Sequence, residues 1–454
     1  MNSCVNLLES ESSIQYIFIQ QINKPMKDNI IKTIILLFIS INLSAQTIEG
    51  DSSKFYENRF AFAKMYFGLE MYGSGSGTSS VLSGNTTSPV AFEGFRSPRL
   101  VWGATHFWGH ADIFVAFPIG GNTQTPKSPL TYTQFTESIE TGFKIYPFAI
   151  HPNTIRPYIG ASWLPVSYRQ QFKNDKELGF AWSKNLIPIT LGLSYASKRF
   201  MLDAGIQYLP KTQFQYPLSR TVYGNLELPN LNVNVGLKYL MEASSRPLSS
   251  IEKHNQKLAR RKKYNAFYVG IGPSGTFGTQ TLSQFNTENY PFLNERTRFT
   301  GFWDITLGYY LHRPDLNIGF SSRNMAESVD AYGIEQNLRR KSLALEVYKF
   351  LGDYHGFVPF LGLTLSNENL TFENKDRRES NTWKIYSEQK AAVGIIFGWD
   401  IRPTRSDWWI LRTNLRYTPV SMKAEGKKVS FDYLEFNVIQ FTMFPERVVA
   451  LLKK

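Results

Sequence analysis

Along much of this chain, charged side chains recur at every second position opposite apolar ones, and they are the groups best equipped for chemistry. In the first half these are Glu70, Glu140, Lys144, Arg156, Asp203 and Lys238, with Lys64 at the start of the series. In the second half they are Asp304, Glu346, Arg412, Arg416 and Glu435. Around a wide, wet lumen such groups select or bind a solute. In a narrow enclosure, acids and bases instead neutralise one another and satisfy buried polar groups. The mixed signs, with Gly, Ser and Tyr between them, favour pairing.

Other constellations offer less. His106 and His110 are four apart, which would suit a metal on a helix, but they flank a tight hairpin turn, so no metal site is expected. The histidines His106, His110, His151, His254, His312 and His355 all fall at short joins or in the linker. No serine and histidine stand together as a nucleophile and base. Gly73-Ser-Gly-Ser-Gly77 has neither a following helix pattern nor a Lys-Ser/Thr pair, so it reads as a loop and not a phosphate cradle. The one cysteine, Cys4, lies near the N-terminus, so no disulfide framework or thiol nucleophile is expected in the body. No cofactor is implied.

The elements that must position these charges are strands. In residues 64–72 one face is Met65, Phe67, Leu69 and Met71, and in 231–239 it is Leu231, Val233, Val235, Leu237 and Tyr239. Residues 187–195 and 200–208 alternate in the same way. Each segment has the length a tilted strand needs to cross a bilayer. In the first half, strands are expected near 64–72, 98–107, 111–118, 135–146, 155–164, 186–196, 199–209 and 228–240. Joins after the even strands are short, and joins after the odd strands are long. The second half alternates likewise, with short joins at 312–315, 352–356 and 403–407. Its long loops are expected near 275–298, 321–338, 366–385 and 418–429. All the long loops then lie at one end, as in outer-membrane barrels.

Composition agrees. The 454 residues have a mean hydropathy of −0.26 and no apolar run long enough for a membrane helix. The net charge of +13 suits either nucleic acid or anionic lipid and sugar phosphates. A basic start at Met26-Lys27, an apolar run over 33–43 and a small-residue site at Leu43-Ser44-Ala45 read as a signal peptide, with Met26 the expected start. Export disfavours nucleic acid as a partner.

These features together resemble bacterial outer-membrane β-barrel proteins, in particular the small eight-stranded type, present twice over roughly residues 64–444. The resemblance implies an outer-membrane location among lipid and lipopolysaccharide, with other envelope proteins as further partners. It implies a pore, or a binding or scaffold subunit, without covalent chemistry. The rival is a lipid-modifying enzyme, which would place a histidine beside a serine near the bilayer edge. Such barrels often end on an aromatic residue, whereas here Phe444 is followed by residues 445–454.

The two halves match in three places. Arg156-Pro-Tyr-Ile-Gly-Ala-Ser162 matches Val358-Pro-Phe-Leu-Gly-Leu-Thr364, and Phe67-Gly-Leu69 matches Val269-Gly-Ile271. Phe200, Leu202, Ile206, Tyr208 and Pro210 match Trp409, Leu411, Leu415, Tyr417 and Pro419. The expected organisation is a leader (1–45), a first eight-strand repeat (46–240), a basic linker (241–265) and a second repeat with a short tail (266–454). Two closures are open: one barrel of sixteen strands, or two tandem barrels of eight. Lys64, Arg156 and Glu70 align with Ala266, Val358 and Gly272, so the second copy lacks three members of the first copy's charge set. A shared lumen would relax that mismatch, and it favours the single sixteen-stranded barrel.

Overall fold

A computed structural model describes residues 64–83, 86–121, 123–124, 131–172, 177–241, 248–278, 283–295, 299–354, 357–401 and 407–452. The leader and cleavage site read from residues 1–45, and His355, lie outside the described residues.

A strand in lipid must find every backbone partner within the protein, so the sheet has to close. It closes twice. The first closed sheet contains β1 (Lys64–Ser74), β2 (Phe95–His106), β3 (Ala111–Pro118), β4 (Glu140–Ile145), β5 (Thr154–Phe172), β6 (Ile189–Ala196), β7 (Phe200–Tyr208) and β8 (Leu231–Met241). Neighbours in that order pair antiparallel, and β8 returns to β1 with Leu69 opposite Leu237. The second contains β9 (Ala266–Gly278), β10 (Phe299–Leu311), β11 (Leu316–Ala331), β12 (Ile334–Phe350), β13 (Phe357–Asp376), β14 (Lys384–Ile401), β15 (Trp409–Thr418) and β16 (Tyr433–Met443). It closes where β16 pairs β9, with Val269 opposite Met443.

The favoured single sixteen-stranded barrel is therefore corrected, and the alternative, two tandem barrels of eight, is what forms. The charge mismatch between the copies misled because the charges of each interior are paired by residues of the same barrel. Spacing did carry over: Tyr66 and Tyr268 stand 202 apart and hold the same place in their barrels. The hydroxyl of each lies 2.5 Å from where a Cβ on a neighbouring-strand glycine, Gly103 or Gly308, would sit. A side chain at either glycine would displace the ring that fills the lumen.

The second barrel also departs from the expected loops. Residues 321–338 are not a loop: β11 and β12 run 16 and 17 residues and meet at Tyr332-Gly333. Both turn residues have positive φ, 49° and 82°, the two-residue turn whose twist suits a hairpin. Likewise 366–385 is mostly strand, since β13 and β14 run 20 and 18 residues. These extensions escaped notice because their outward residues, such as Ser322, Asn324 and Ser328, are polar once past the membrane. In the first barrel the expected strand at 135–146 divides into Thr131–Glu137, which pairs with the β5 extension, and β4.

The linker holds a helix, α1 (Leu248–Arg260); α2 (Gln284–Asn289) lies in the β9–β10 connection, and α3 (Pro445–Leu452) follows the last strand. The linker is not a free spacer. Arg261 Nη1 and Lys257 Nζ donate to the α3 carbonyls of Ala450 (2.7 Å) and Leu451 (3.4 Å), where the helix dipole favours cations. Lys263 pairs with Glu446 at 2.9 Å. Arg447, buried on α3, donates to the carbonyls of Asp407 and Tyr264. Phe444 is buried at the short-turn end of the second barrel and not exposed at a chain end.

The closure predicts a cross-linking result. In a Cys4→Ser background, Leu69→Cys with Leu237→Cys should form a disulfide efficiently. Leu237→Cys with Val269→Cys should not. Non-reducing gel mobility after oxidation reads both.

Candidate functional site

The outward faces of both barrels are apolar. Leu69, Leu191, Leu237, Leu307, Leu363 and Val393 are each at least half exposed, on a scale that soluble monomers do not show. The border of this belt is legible from register on the second barrel. Phe320, Leu345, Leu365 and Val393 form one outward row across β11–β14. Two rows further from the short turns, the row is Asn324, Lys341, Asn369 and Gln389. Lipid therefore gives way to headgroup and water between them.

The inward faces carry the charges. In the first barrel Arg99 Nη1 donates to Glu140 at 2.6 Å and lies 3.7 Å from Glu70. Ser162 and Gln207 also donate to Glu140, at 2.5 and 2.6 Å, and Asn234 donates to Glu70 at 3.0 Å. Nearer the short turns, Lys144 pairs with Asp203 at 2.9 Å, and Lys238 pairs with the same carboxylate. Tyr66 donates to Asp112 at 2.5 Å. Arg156 closes the short-turn end, giving hydrogen bonds to the Gly109 carbonyl (2.8 Å) and the Phe148 carbonyl (3.3 Å) and lying 4.1 Å over the Tyr146 ring.

The second barrel builds a different network in three layers. Arg412 grips Asp400 with two hydrogen bonds of 2.7 and 2.9 Å and also donates to Tyr348. Arg416 bridges Asp304 (2.5 Å) and Glu346 (2.7 Å), while Asn437 and Ser321 donate to those same acids. Highest, Arg340 forms a two-point pair with Glu368 at 2.8 and 2.9 Å, and Arg323 pairs with Glu435.

All eleven lumen candidates named from the sequence are buried inside one or other barrel. Six share the first interior and five the second, and no candidate of one network contacts one of the other. Sequence reading missed Arg99, Asp112, Arg323, Arg340, Glu368 and Asp400, each of which completes a pair. Arg323 and Glu368 lie in strand extensions read as loops, and Arg340 lies just past the loop read at 321–338. Arg99 follows Pro98, which obscured the alternation. Asp112 sits among residues apolar on both faces.

Both ends of each lumen are stoppered by apolar clusters. The short-turn ends hold Tyr66, Phe114, Ile150 and Met201 in the first barrel, and Tyr310, Phe350, Phe360 and Phe444 in the second. At the other end, Phe285 of α2 and the hairpin bearing Met422 and Val429 cap the second barrel over Phe302 and Phe372. Here the two barrels also become one body. A single cluster joins Phe92, Tyr168, Trp182 and Tyr216 of the first barrel's connections to Phe292, Val329, Ala331 and Ile334 of the second. Arg220 clamps Asp376 with two 2.8 Å hydrogen bonds, and Arg378 pairs with Glu177 at 2.5 Å. Tyr332 donates to the Pro217 carbonyl at 2.8 Å. Lower down the walls also meet, with Phe107 5.4 Å from Phe357 and Trp163 4.0 Å from Phe277 between ring centroids.

Two closed antiparallel barrels of eight strands, apolar outside and charged inside, make this chain a tandem β-barrel of the outer-membrane type. No protein-family model matches the sequence, and no curated protein matches it. Solved structures resemble it in fold. Neisserial surface protein A is 14% identical, with 39% of this chain and 96% of that one covered and a TM-score of 0.29. The attachment invasion locus protein Ail of Yersinia pestis is 10% identical, with 39% and 97% covered and a TM-score of 0.25. An outer-membrane channel of Pseudomonas putida F1 is 10% identical, with 84% and 95% covered and a TM-score of 0.19.

Two predictions follow from these charges. Asp203→Asn leaves Lys144 and Lys238 buried without their counter-ion, a loss of about 3–5 kcal/mol for a broken buried pair. The urea midpoint of the folded, heat-modifiable gel band should drop accordingly. The clamp between the barrels should respond to acid. Burial pushes the Asp376 carboxyl up, but the hydrogen bonds from Arg220 outweigh it and hold the group below its usual range. Hydrogen bonding from Arg378 likewise lowers Glu177. Carboxyls lowered by folding stabilise above their unfolded value of about 4 and lose that stabilisation as pH falls through the folded value. The near-UV dichroism of the cap, which holds Trp182, should therefore weaken as pH falls below about 4. An Asp376→Asn, Glu177→Gln variant should show a lower melting temperature at neutral pH and a smaller acid response.

Proposed function

We propose that this is an outer-membrane protein that works by binding, its two barrels anchoring one exterior platform, without conduction and without covalent chemistry. The observation that carries this reading is the contrast between the barrels' interiors and their long-connection ends. The interiors are filled by matched ion pairs between apolar stoppers, and an eight-stranded barrel has room for little beyond its own side chains. The long connections, by contrast, merge into a surface that spans both barrels. In this orientation the short turns, α1 and α3 face the periplasm.

The placement of the histidines supports the non-enzymatic reading. His106, His110, His151, His254 and His312 all lie at the short-turn end, remote from the platform. His110 Nδ1 is engaged with the Tyr146 carbonyl at 2.9 Å, and the His312 ring stacks on Tyr264 at 4.7 Å.

Purified protein in planar lipid bilayers should give no discrete conductance steps. Stable single-channel steps would overturn the reading in favour of a pore. Recovery of the protein in the soluble periplasm, and not in the membrane pellet, would overturn the membrane placement itself.

A further inference from the structure

Above the lipid-facing wall of β6 and β7, the exterior connections enclose a cleft of about 940 Å³. One wall is a small sheet formed by the hairpin Gly77–Ser83 and Thr86–Phe92 with the hairpin Gln213–Pro217 and Tyr223–Glu227. The other is the strand Ala181–Leu186, which pairs with the extension of β5. The volume lies within the roughly 300–1,000 Å³ usual for small-ligand sites.

The floor of the cleft is apolar and continuous with the membrane belt. Leu186, Ile187, Leu209, Pro210 and Phe214 form it. Ile187 is 62% exposed, and Leu191 and Leu193 continue its stripe down β6. Tyr208 ends the corresponding stripe on β7. The face turned to the second barrel includes β1–β3 and Trp163 of β5, whereas the outward side chains of β6 and β7, Leu191, Leu193, Leu202 and Ile206, are exposed and open on lipid.

The rim is cationic at headgroup height. Lys184 lies three residues before Ile187, and Lys211 three residues after Tyr208. At about 3.3 Å per residue along its strand, Lys184 branches from backbone about 10 Å beyond Ile187, and Lys211 follows the bend at Pro210 just past the end of β7. Lys211 Nζ is 5.4 Å from the Phe214 ring centroid. Among the described lining residues the one carboxylate, Glu227, accepts a hydrogen bond from Thr78 at 3.4 Å. Amide and hydroxyl groups of Ser80, Asn185, Gln213, Gln215 and Asn225 occupy the remaining polar lining.

An apolar floor that runs into the acyl region, two lysines on the rim and a lining of amides and hydroxyls match one ligand chemistry. We infer that this cleft seats the phosphorylated sugar headgroup of an acylated glycolipid of the outer leaflet, with its acyl chains along the β6–β7 wall. Lysine serves here as a compact charge for phosphate. The inference rests on the membrane placement proposed above and deepens it by naming the ligand and its seat.

The test is binding of bisphosphorylated lipid A to the full chain in detergent micelles, read by native mass spectrometry and competition. Lys184→Gln with Lys211→Gln should weaken binding about tenfold or more. Dephosphorylated lipid A should bind the wild type as weakly as the intact lipid binds that variant. Phe214→Ser should also weaken binding, and Lys423→Gln, on the second barrel, should leave it unchanged. Heat-modifiable mobility verifies that each variant is folded. Equal affinity of the double variant and the wild type overturns the inference, as does full displacement of lipid by inorganic phosphate at equal concentration. Lost lipid selectivity with intact membrane sedimentation overturns this inference alone, whereas a soluble periplasmic protein overturns the placement on which it rests.

Discussion

Charge matching inside a closed backbone is the constraint on which the rest of this structure depends. A lumen eight strands wide removes its side chains from water, so each carboxylate there needs a cation and each cation an acceptor. The first barrel buries Arg99, Lys144, Arg156 and Lys238 with Glu70, Asp112, Glu140 and Asp203. The second sets its arginines in layers, Arg412 on Asp400, Arg416 between Asp304 and Glu346, and Arg340 on Glu368. Breaking one pair leaves a bare charge that neither the wall nor the lipid can solvate. These pairs therefore stiffen the cylinders and occupy the space a conduction path would need.

With the lumens filled, what distinguishes the molecule is how the two barrels are joined. The apolar cluster linking Trp182 and Tyr216 to Phe292 and Ile334, with the Arg220–Asp376 clamp beside it, makes the exterior ends one surface. The second barrel contributes long strand extensions to that surface, and the first contributes a folded sheet of hairpins. At the opposite end the linker helix α1 is held to α3 by polar contacts, and Phe107 meets Phe357 between the walls. The long-connection end therefore presents a surface set by both halves, although each half closes its own sheet.

The two copies show which features survive duplication. Spacing persists, as in the tyrosines of β1 and β9 that fill equivalent positions over glycine. The charge networks do not persist. A backbone register is dictated by ladder geometry and tolerates little change, whereas an ion pair is satisfied by any partner of opposite sign within reach. Arg156 and Arg412 both close the short-turn end of their barrels, yet Arg156 rests on backbone carbonyls and Arg412 on Asp400.

Period-two alternation located all sixteen barrel strands, because a wall between lipid and an enclosed interior leaves each strand one apolar and one polar face. The same alternation assigned Glu70, Asp203, Arg416 and their fellows to the inside, and the unequal joins showed which end carried the long connections. The signal weakened where its cause disappeared. Beyond the membrane the outward face of β11–β14 turns polar and the inward face mixes charged with apolar residues, so strand resembled loop, and Arg323 and Glu368 were missed with it. Closure was beyond the sequence altogether. The hydrogen bonds of β8 to β1 and of β8 to β9 satisfy the backbone equally, and no local residue pattern separates them. Only the assembled interiors decide it, because each set of eight strands closes around charges that find their partners within that set. The joint platform and its cleft were decided in the same way, by contacts such as Arg220 to Asp376 between residues 156 apart in the chain.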